Sequence, residues 1–357
     1  MRPARSLAAA LAHGTVVLDG GLAGQLEAQG CDLSDELWSA RLLADDPGQI
    51  LAAHAAYVRA GAQVLTTASY QATYEGFARR GMSRREAGEL LARSVQLARA
   101  AGDLGETVPG SGGASGPGGA SSPGGESDLG GALGPGDASG PGGASGPGGA
   151  IRAEGVARAA REVWVAASVG PYGAFLADGS EYRGRYGLSV RELERFHRPR
   201  IEALVAAGPD VLALETVPDI DEAEALLRVV EGCGVAVWLS YSVEGGRTRA
   251  GQDLASAFAL ARGREDVVAV GVNCCAPQDA DRAVPLAASV TGKPVVVYPN
   301  SGERWDAGRR SWTGEATFDA ASPGEWTTAG ARLIGGCCRV GPERIAALAA
   351  RVQGRHP

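Results

Sequence analysis

The chain has 357 residues, 45% of them hydrophobic and 21% charged, with a net charge of −7. This composition is globular, and the length is within reach of a single α/β barrel. Its 34 Lys and Arg, nearly all Arg, are scattered, so no basic patch invites nucleic acid or an anionic membrane. No apolar run approaches the roughly 18 residues of a membrane span.

In chain order, residues 1–14 carry two Arg and an Ala-rich stretch. They are expected to form a short helix, because the apolar core is too short for a signal peptide and leads straight into a strand. A first strand is expected at 15–19, ending in Asp19-Gly20-Gly21. Asp46-Pro47 has the form of an N-cap followed by proline at the first helical position. The helix it opens places Ile50, Leu51, His54, Tyr57 and Val58 on one face and ends at Gly61. A second strand follows at 63–68. Ser83 and Glu86 make a capping box ahead of Leu91, Val95 and Ala98.

Residues 105–150 break the pattern. They are almost all Gly, Pro, Ser and Ala, and Ala-Ser-Gly-Pro-Gly-Gly-Ala recurs at 114–120, 138–144 and 144–150. Without apolar periodicity the segment cannot repay its ordering entropy, so it is expected to be a disordered surface insertion within one barrel domain. Glycine is not at every third position, which excludes a collagen-like reading. A short helix is expected at 151–161.

Six more strands are expected, at 163–169, 210–215, 235–240, 267–273, 294–299 and 331–335. Most are continuously apolar, as strands buried on both faces are. Between them lie a second capping box (Ser189 and Glu192), an acidic cap from Asp219 to Glu222, and a last helix opened by Gly341-Pro342. Eight alternations of strand and helix close most simply into a (β/α)8 TIM barrel. A doubly wound open sheet is the competing fold, but no G-x-G-x-x-G follows the first strand.

Strand C-termini of such a barrel share one face, where active sites form. Cys274 stands just beyond the sixth strand, and Cys337 and Cys338 just beyond the eighth. Three thiolates with one open position suit a catalytic zinc ion. Gly335 and Gly336 would let the chain turn sharply, so that two consecutive side chains reach one ion. The competing reading is a set of small buried hydrophobes. Asp19 and Glu215 also end strands and could hold a substrate ammonium; otherwise each is a solvated loop acid or a helix cap. Cys275 is either a spare ligand or, as its position next to Cys274 suggests, a side chain that diverges from it, and Cys31 and Cys233 are expected to have packing or surface roles. His13, His54, His197 and His356 are not expected to be ligands. Two adjacent cysteine pairs in a chain this large suggest metal-binding thiols in a reducing cytoplasm rather than a disulfide framework.

The motifs together resemble the homocysteine S-methyltransferase family. Leu18-Asp19-Gly20-Gly21-Leu22-Ala23 with Leu26-Glu27 is similar to its opening motif. Thr67 to Thr73 is similar to its second-strand motif, and Ser168 to Gly173 with Ala177 to Tyr182 to its third. Leu214-Glu215-Thr216, Gly271 to Cys274, Tyr298 to Glu303 and Gly335 to Cys338 complete the pattern. The resemblance runs from about residue 14 to 352, outside the insertion. Its middle motifs look most like the branch that uses S-methylmethionine or S-adenosylmethionine.

The resemblance implies a TIM barrel with zinc on Cys274, Cys337 and Cys338. It implies that Asp19 and Glu215 hold the homocysteine amino group and that Trp38 and Tyr70 wall the pocket. Expected partners are therefore two small molecules, homocysteine and a sulfonium methyl donor, and the expected product is methionine. Two positions depart from the pattern: Gly24 stands where Thr is frequent, and Val340 where Thr often follows the cysteine pair. The alternatives are another donor, such as betaine, on the same fold, or a zinc- or thiol-sensing barrel without turnover.

Overall fold

In the computed structural model, described for residues 2–35, 37–106, 162–306, 311–318, 322–352 and 354, eight strands run parallel around a barrel. They are β1 (Val16–Val17), β2 (Val64–Thr66), β3 (Trp164–Val169), β4 (Val211–Val217), β5 (Val237–Tyr241), β6 (Val267–Asn273), β7 (Val295–Tyr298) and β8 (Ala331–Ile334). Neighbours pair in sequence order from β2 to β8, and β8 pairs with β1. A parallel bridge from Leu18 to Val64 closes the ring. The Asp19 amide donates to the Val64 carbonyl at 3.0 Å and the Gln63 amide to the Val17 carbonyl at 2.7 Å, which completes the seam. All eight expected strands are present, with β1 shortest because its regular pairing ends at Val17.

Helices cover the outside of the barrel, at least one after each strand. Their starts follow the expected chemistry. Ser83 and Glu86 exchange hydrogen bonds as a capping box, Ser189 and Glu192 do the same, and Asp219 accepts from the Asp221 amide. Asp46 is an exception. It occupies the cap position of helix Pro47–Ala60, but its side chain makes no capping bond. The long helix Arg84–Glu106 continues into the first residues of the expected insertion. The rest of that insertion, and the helix expected at 151–161, lie outside the described residues.

Period-two alternation divides the core into two layers. One layer lies between strands and helices. The other fills the barrel with Val16, Leu18, Val64, Trp164, Ala166, Val211, Ala213, Trp238, Ala269, Val296 and Leu333. The N-terminal helix Leu7–His13 joins this inner layer through Leu7, Ala10 and Leu11 and closes the barrel floor. Continuing the same inward phase toward the strand C-termini gives Thr66, Ser168, Glu215, Ser240, Asn273 and Tyr298. The interior is therefore apolar below and polar at the mouth.

Candidate metal centre and active site

From β3 to β7 the polar layer is one hydrogen-bonded belt. Glu215 accepts from the Ser168 hydroxyl on one oxygen and from the Tyr298 hydroxyl, at 2.9 Å, on the other. The Tyr298 hydroxyl in turn receives the Trp238 indole N–H at 3.1 Å and stands 2.8 Å from Ser240 Oγ. Ser240 donates to Asn273 Oδ1 at 2.8 Å. The Asn273 amide then reaches across to Thr216, accepting from its backbone N–H and donating to its hydroxyl, each at 2.7 Å. Asp19 is tied to β2, accepting from the Thr66 amide at 2.7 Å and the Thr66 hydroxyl at 2.9 Å.

Both carboxylates are buried, Asp19 to 2% exposure and Glu215 to 6%, and among the described residues neither has a Lys or Arg among the main influences on its charge. Burial lifts Asp19 to about 8 and Glu215 to about 7, against the pull of their hydrogen bonds. Glu215 adds to the rise at Asp19, and Cys274 to that at Glu215. Buried carboxylates with no countercharge form a site for a cation.

The three cysteines converge. The sulfurs of Cys274, Cys337 and Cys338 all lie within 4.8 Å of one another, with 3.6 Å between those of Cys274 and Cys338. Two sulfurs on a tetrahedral ion with bonds of about 2.3 Å lie about 3.8 Å apart, so the trio has the spacing to hold a metal ion. Hydrogen bonds from Cys274 and Cys337 pull Cys338 well below the ordinary thiol value, and hydrogen bonding to Cys274 and Cys338 pushes Cys337 well above it.

Backbone contacts fix the trio. The Cys337 amide donates to the Pro299 carbonyl at 2.8 Å and the Cys338 amide to Asn300 Oδ1 at 3.1 Å, so the segment after β7 clamps the pair. Cys274 takes a left-handed φ of 51° and donates its amide to the Tyr298 carbonyl at 3.2 Å. The Tyr182 hydroxyl lies 3.3 Å from the Cys274 sulfur.

The glycines beside the cysteines make room for neighbouring segments. Neither Gly335 nor Gly336 has a positive φ; what they allow is close approach. A Cβ on Gly335 would lie 2.6 Å from the Asp19 carbonyl, and one on Gly336 2.2 Å from a Val340 methyl. Gly21 likewise lets the β1 loop lie against the Cys337 carbonyl, which a Cβ would meet at 2.5 Å. Val340 thus fills the space beside Gly336. Gly24 faces Arg339 with ordinary clearance: a Cβ there would lie 3.9 Å from the Arg339 amide nitrogen.

Tyr70 is half-buried at the same mouth, and its phenol is pushed well above the ordinary value by burial and then by the charges of Glu181 and Cys274. Trp38 is 40% exposed and opens the turn Trp38–Ala40 with a φ of 46°; no described contact ties its indole to the sulfurs. Cys275 is fully buried in the outer apolar layer, and its sulfur stays out of the cluster. Cys31 and Cys233 are half-buried free thiols. His54 and His197 are buried within helices.

Sequence reading missed Thr66, Ser168, Ser240, Asn273 and Tyr298. Extending the inward alternation of each strand to its polar end would have found them. Glu181 and Tyr182 sit in the short turn Ser180–Tyr182, where no periodicity marks them.

The sequence pattern described as Homocysteine S-methyltransferase matches residues 16–139 and 148–352. The chain is 41% identical to the homocysteine S-methyltransferase of Escherichia coli (strain K12), over 94% of each protein. It is 38% identical to homocysteine S-methyltransferase YbgG of Bacillus subtilis, over 94% of this chain and 93% of that one. Its fold matches the crystal structure of the metallated form of the homocysteine methyltransferase MmuM from Escherichia coli with a TM-score of 0.73 and 39% identity, covering 94% of this chain and 96% of that one. Barrel, strand-end motifs and relatives agree: the chain belongs to the homocysteine S-methyltransferase family.

Proposed function

We propose that this protein transfers a methyl group from a sulfonium donor, S-methylmethionine or S-adenosylmethionine, to homocysteine, giving methionine. The observation that carries the reading is the convergence of three cysteine sulfurs at a mouth that also holds two buried carboxylates without countercharge. An all-thiolate donor set suits zinc, and Cys274, Cys337 and Cys338 would hold it. Zinc on these residues would supply the charge that keeps the homocysteine sulfur deprotonated at neutral pH.

Asp19 and Glu215 would bind the homocysteine ammonium, aligning the amino acid so that its sulfur lies toward the cysteines. Thr66, Ser168 and Tyr298 hold the two carboxylates in place. In the transfer, a lone pair of the homocysteine thiolate forms the new S–CH3 bond as the donor's S–CH3 bond breaks. The electrons of the broken bond stay on the donor sulfur. One negative and one positive charge are discharged, and two neutral thioethers result. With S-methylmethionine both products are methionine. No proton moves in this step, so no general base is needed, and positioning carries the protein's share of the catalysis. Six free thiols among the described residues fit a reducing cytoplasm.

The test is methionine formation from homocysteine and each donor by the metal-replete protein, repeated after chelation and after zinc return. Turnover with a sulfonium donor, lost on chelation and restored by zinc, is expected. A free thiol of pKa near 8.5 is only about 3% ionised at pH 7. Cys337→Ser is therefore expected to lower turnover at least about thirtyfold and to lose bound metal. A Cys337→Ser protein with full metal and full turnover would sink the assignment.

A further inference from the structure

Glu181 lies in the turn Ser180–Tyr182 that follows helix Tyr172–Leu176. The turn is rigidly placed. Asp178 accepts from the Ser180 amide at 2.9 Å, and a Cβ on Gly173 would lie 2.3 Å from the Glu181 nitrogen, so the turn rests directly on that glycine. The next residue, Tyr182, reaches the Cys274 sulfur. Glu181 itself is 7% exposed, and its Oε2 is buried with no hydrogen-bond partner among the described residues. With Tyr182 3.3 Å from the Cys274 sulfur, Glu181 stands beside the cysteine mouth, close enough for its charge to act on Cys338 and Tyr70 and for that of Cys274 to act on it. Among the described residues no Lys or Arg charge offsets it.

An unpartnered carboxylate oxygen in a buried position is costly and calls for an occupant that repays the cost. The metal is not that occupant, because among the described residues only the three sulfurs converge closely enough to share an ion. Arg249, stacked 5.5 Å from the Tyr182 ring, is paired with Glu244. The homocysteine ammonium is already assigned to Asp19 and Glu215. What remains is the second substrate, which must bring its positive sulfur to the cysteine side for transfer.

Building on the methyltransfer reading, we infer that Glu181 is the countercharge that selects a cationic sulfonium donor over a neutral thioether. The transfer discharges the donor, so the attraction is strongest in the bound donor and fades toward product. An interaction stronger in the ground state than in the transition state tightens binding without speeding the chemical step. Glu181 is thus a specificity residue that also favours release of the thioether. Its removal is therefore expected to raise the donor KM without lowering kcat.

The experiment compares binding of S-methylmethionine with that of its neutral carbon isostere, 2-amino-5-methylhexanoate. Calorimetry would be run on the zinc-loaded protein without homocysteine. The two ligands share shape, ammonium and carboxylate, so their ratio isolates the sulfonium charge. The unchanged protein is expected to prefer S-methylmethionine, and Glu181→Gln to reduce that preference about tenfold or more. Glu181→Asp, which keeps the charge, should retain part of it, with metal content unchanged in both variants. Preference surviving in Glu181→Gln, or absent from the unchanged protein, overturns the inference. Methyl transfer is scored separately: a Glu181-dependent sulfonium preference without turnover would overturn the enzymatic reading and uphold this one.

Discussion

Among the described residues, six non-glycine positions take a left-handed backbone: Trp38, Ala177, Arg185, Thr216, Cys274 and Arg339. Cys274 is a proposed metal ligand, Thr216 follows Glu215, and Arg339 follows Cys338. Such strain persists only where surroundings over-determine it, and it gathers at working sites. Thr216 shows how. A β-branched residue at a φ of 58° is a true outlier, and the Asn273 side chain holds it by both its amide and its hydroxyl. Asn273 directly precedes Cys274, so one amide couples the end of β4 to the metal side of the mouth. Asp19 works by charge instead. Asp19→Asn keeps the shape and the hydroxyl contact of Thr66 but removes the countercharge for an ammonium. Its homocysteine KM is expected to rise about 10- to 100-fold, the range of a lost charge-assisted hydrogen bond, with metal content unchanged. An unaltered KM in steady-state kinetics would remove Asp19 from the substrate site.

At the scale of elements, helix Pro47–Ala60 supports the mouth from outside the barrel. Its Tyr57 hydroxyl donates to the Gly21 carbonyl at 3.0 Å and lies 3.2 Å from the Val340 carbonyl, pinning the β1 loop to the cysteine turn. One turn earlier, His54 is fully buried, with neither ring nitrogen hydrogen-bonded among the described residues, and burial alone lowers it to about 4 from 6.5. The unfolded chain takes up this proton below about pH 6.5 while the folded chain refuses it until about 4. The unfolded state therefore binds more protons in that window, and stability falls as pH falls through it. At 1.36 kcal/mol per pH unit the contribution is about 3 kcal/mol across the window. His54→Leu is expected to flatten that part of the pH dependence, measured by urea unfolding at pH 7, 6 and 5. A variant that loses stability as steeply as the parent would show that His54 is not the acid-sensitive group.

For the whole molecule, the barrel is formed by chain on both sides of the low-complexity segment, and the (β/α)8 ring closes from those parts. On the composition-based expectation, the segment at 105–150 lengthens a connection without adding a core. Replacing residues 108–160 by a linker of about ten residues is then expected to leave turnover within about twofold. Loop-closure entropy for the shorter connection favours the folded state by about 1.5 kcal/mol. Thermal unfolding and donor kinetics on the shortened chain check this. A shortened chain that is less stable, or inactive though folded, would give the segment a role of its own.

The alternation of strand and helix, the cap residues, and the candidate roles of Asp19, Glu215, Cys274, Cys337 and Cys338 were legible in the residues alone. These are periodic or motif signals, written in neighbouring positions, and the same motifs carried the family resemblance. Whatever depends on approach between distant segments waited for the folded chain. Gly335 and Gly336 turned out to allow close contact with Asp19 and Val340, which no local signal announces. Ser168, Asn273 and Tyr298 became the supports of Glu215 and Cys274 because barrel closure places the inward end of every strand in one ring. Glu181 has no periodic signal at all. Only folding reveals it as buried, with an Oε2 that has no hydrogen-bond partner among the described residues and with Cys274 and Cys338 in its electrostatic neighbourhood, because burial and proximity are properties of the three-dimensional chain and not of sequence order.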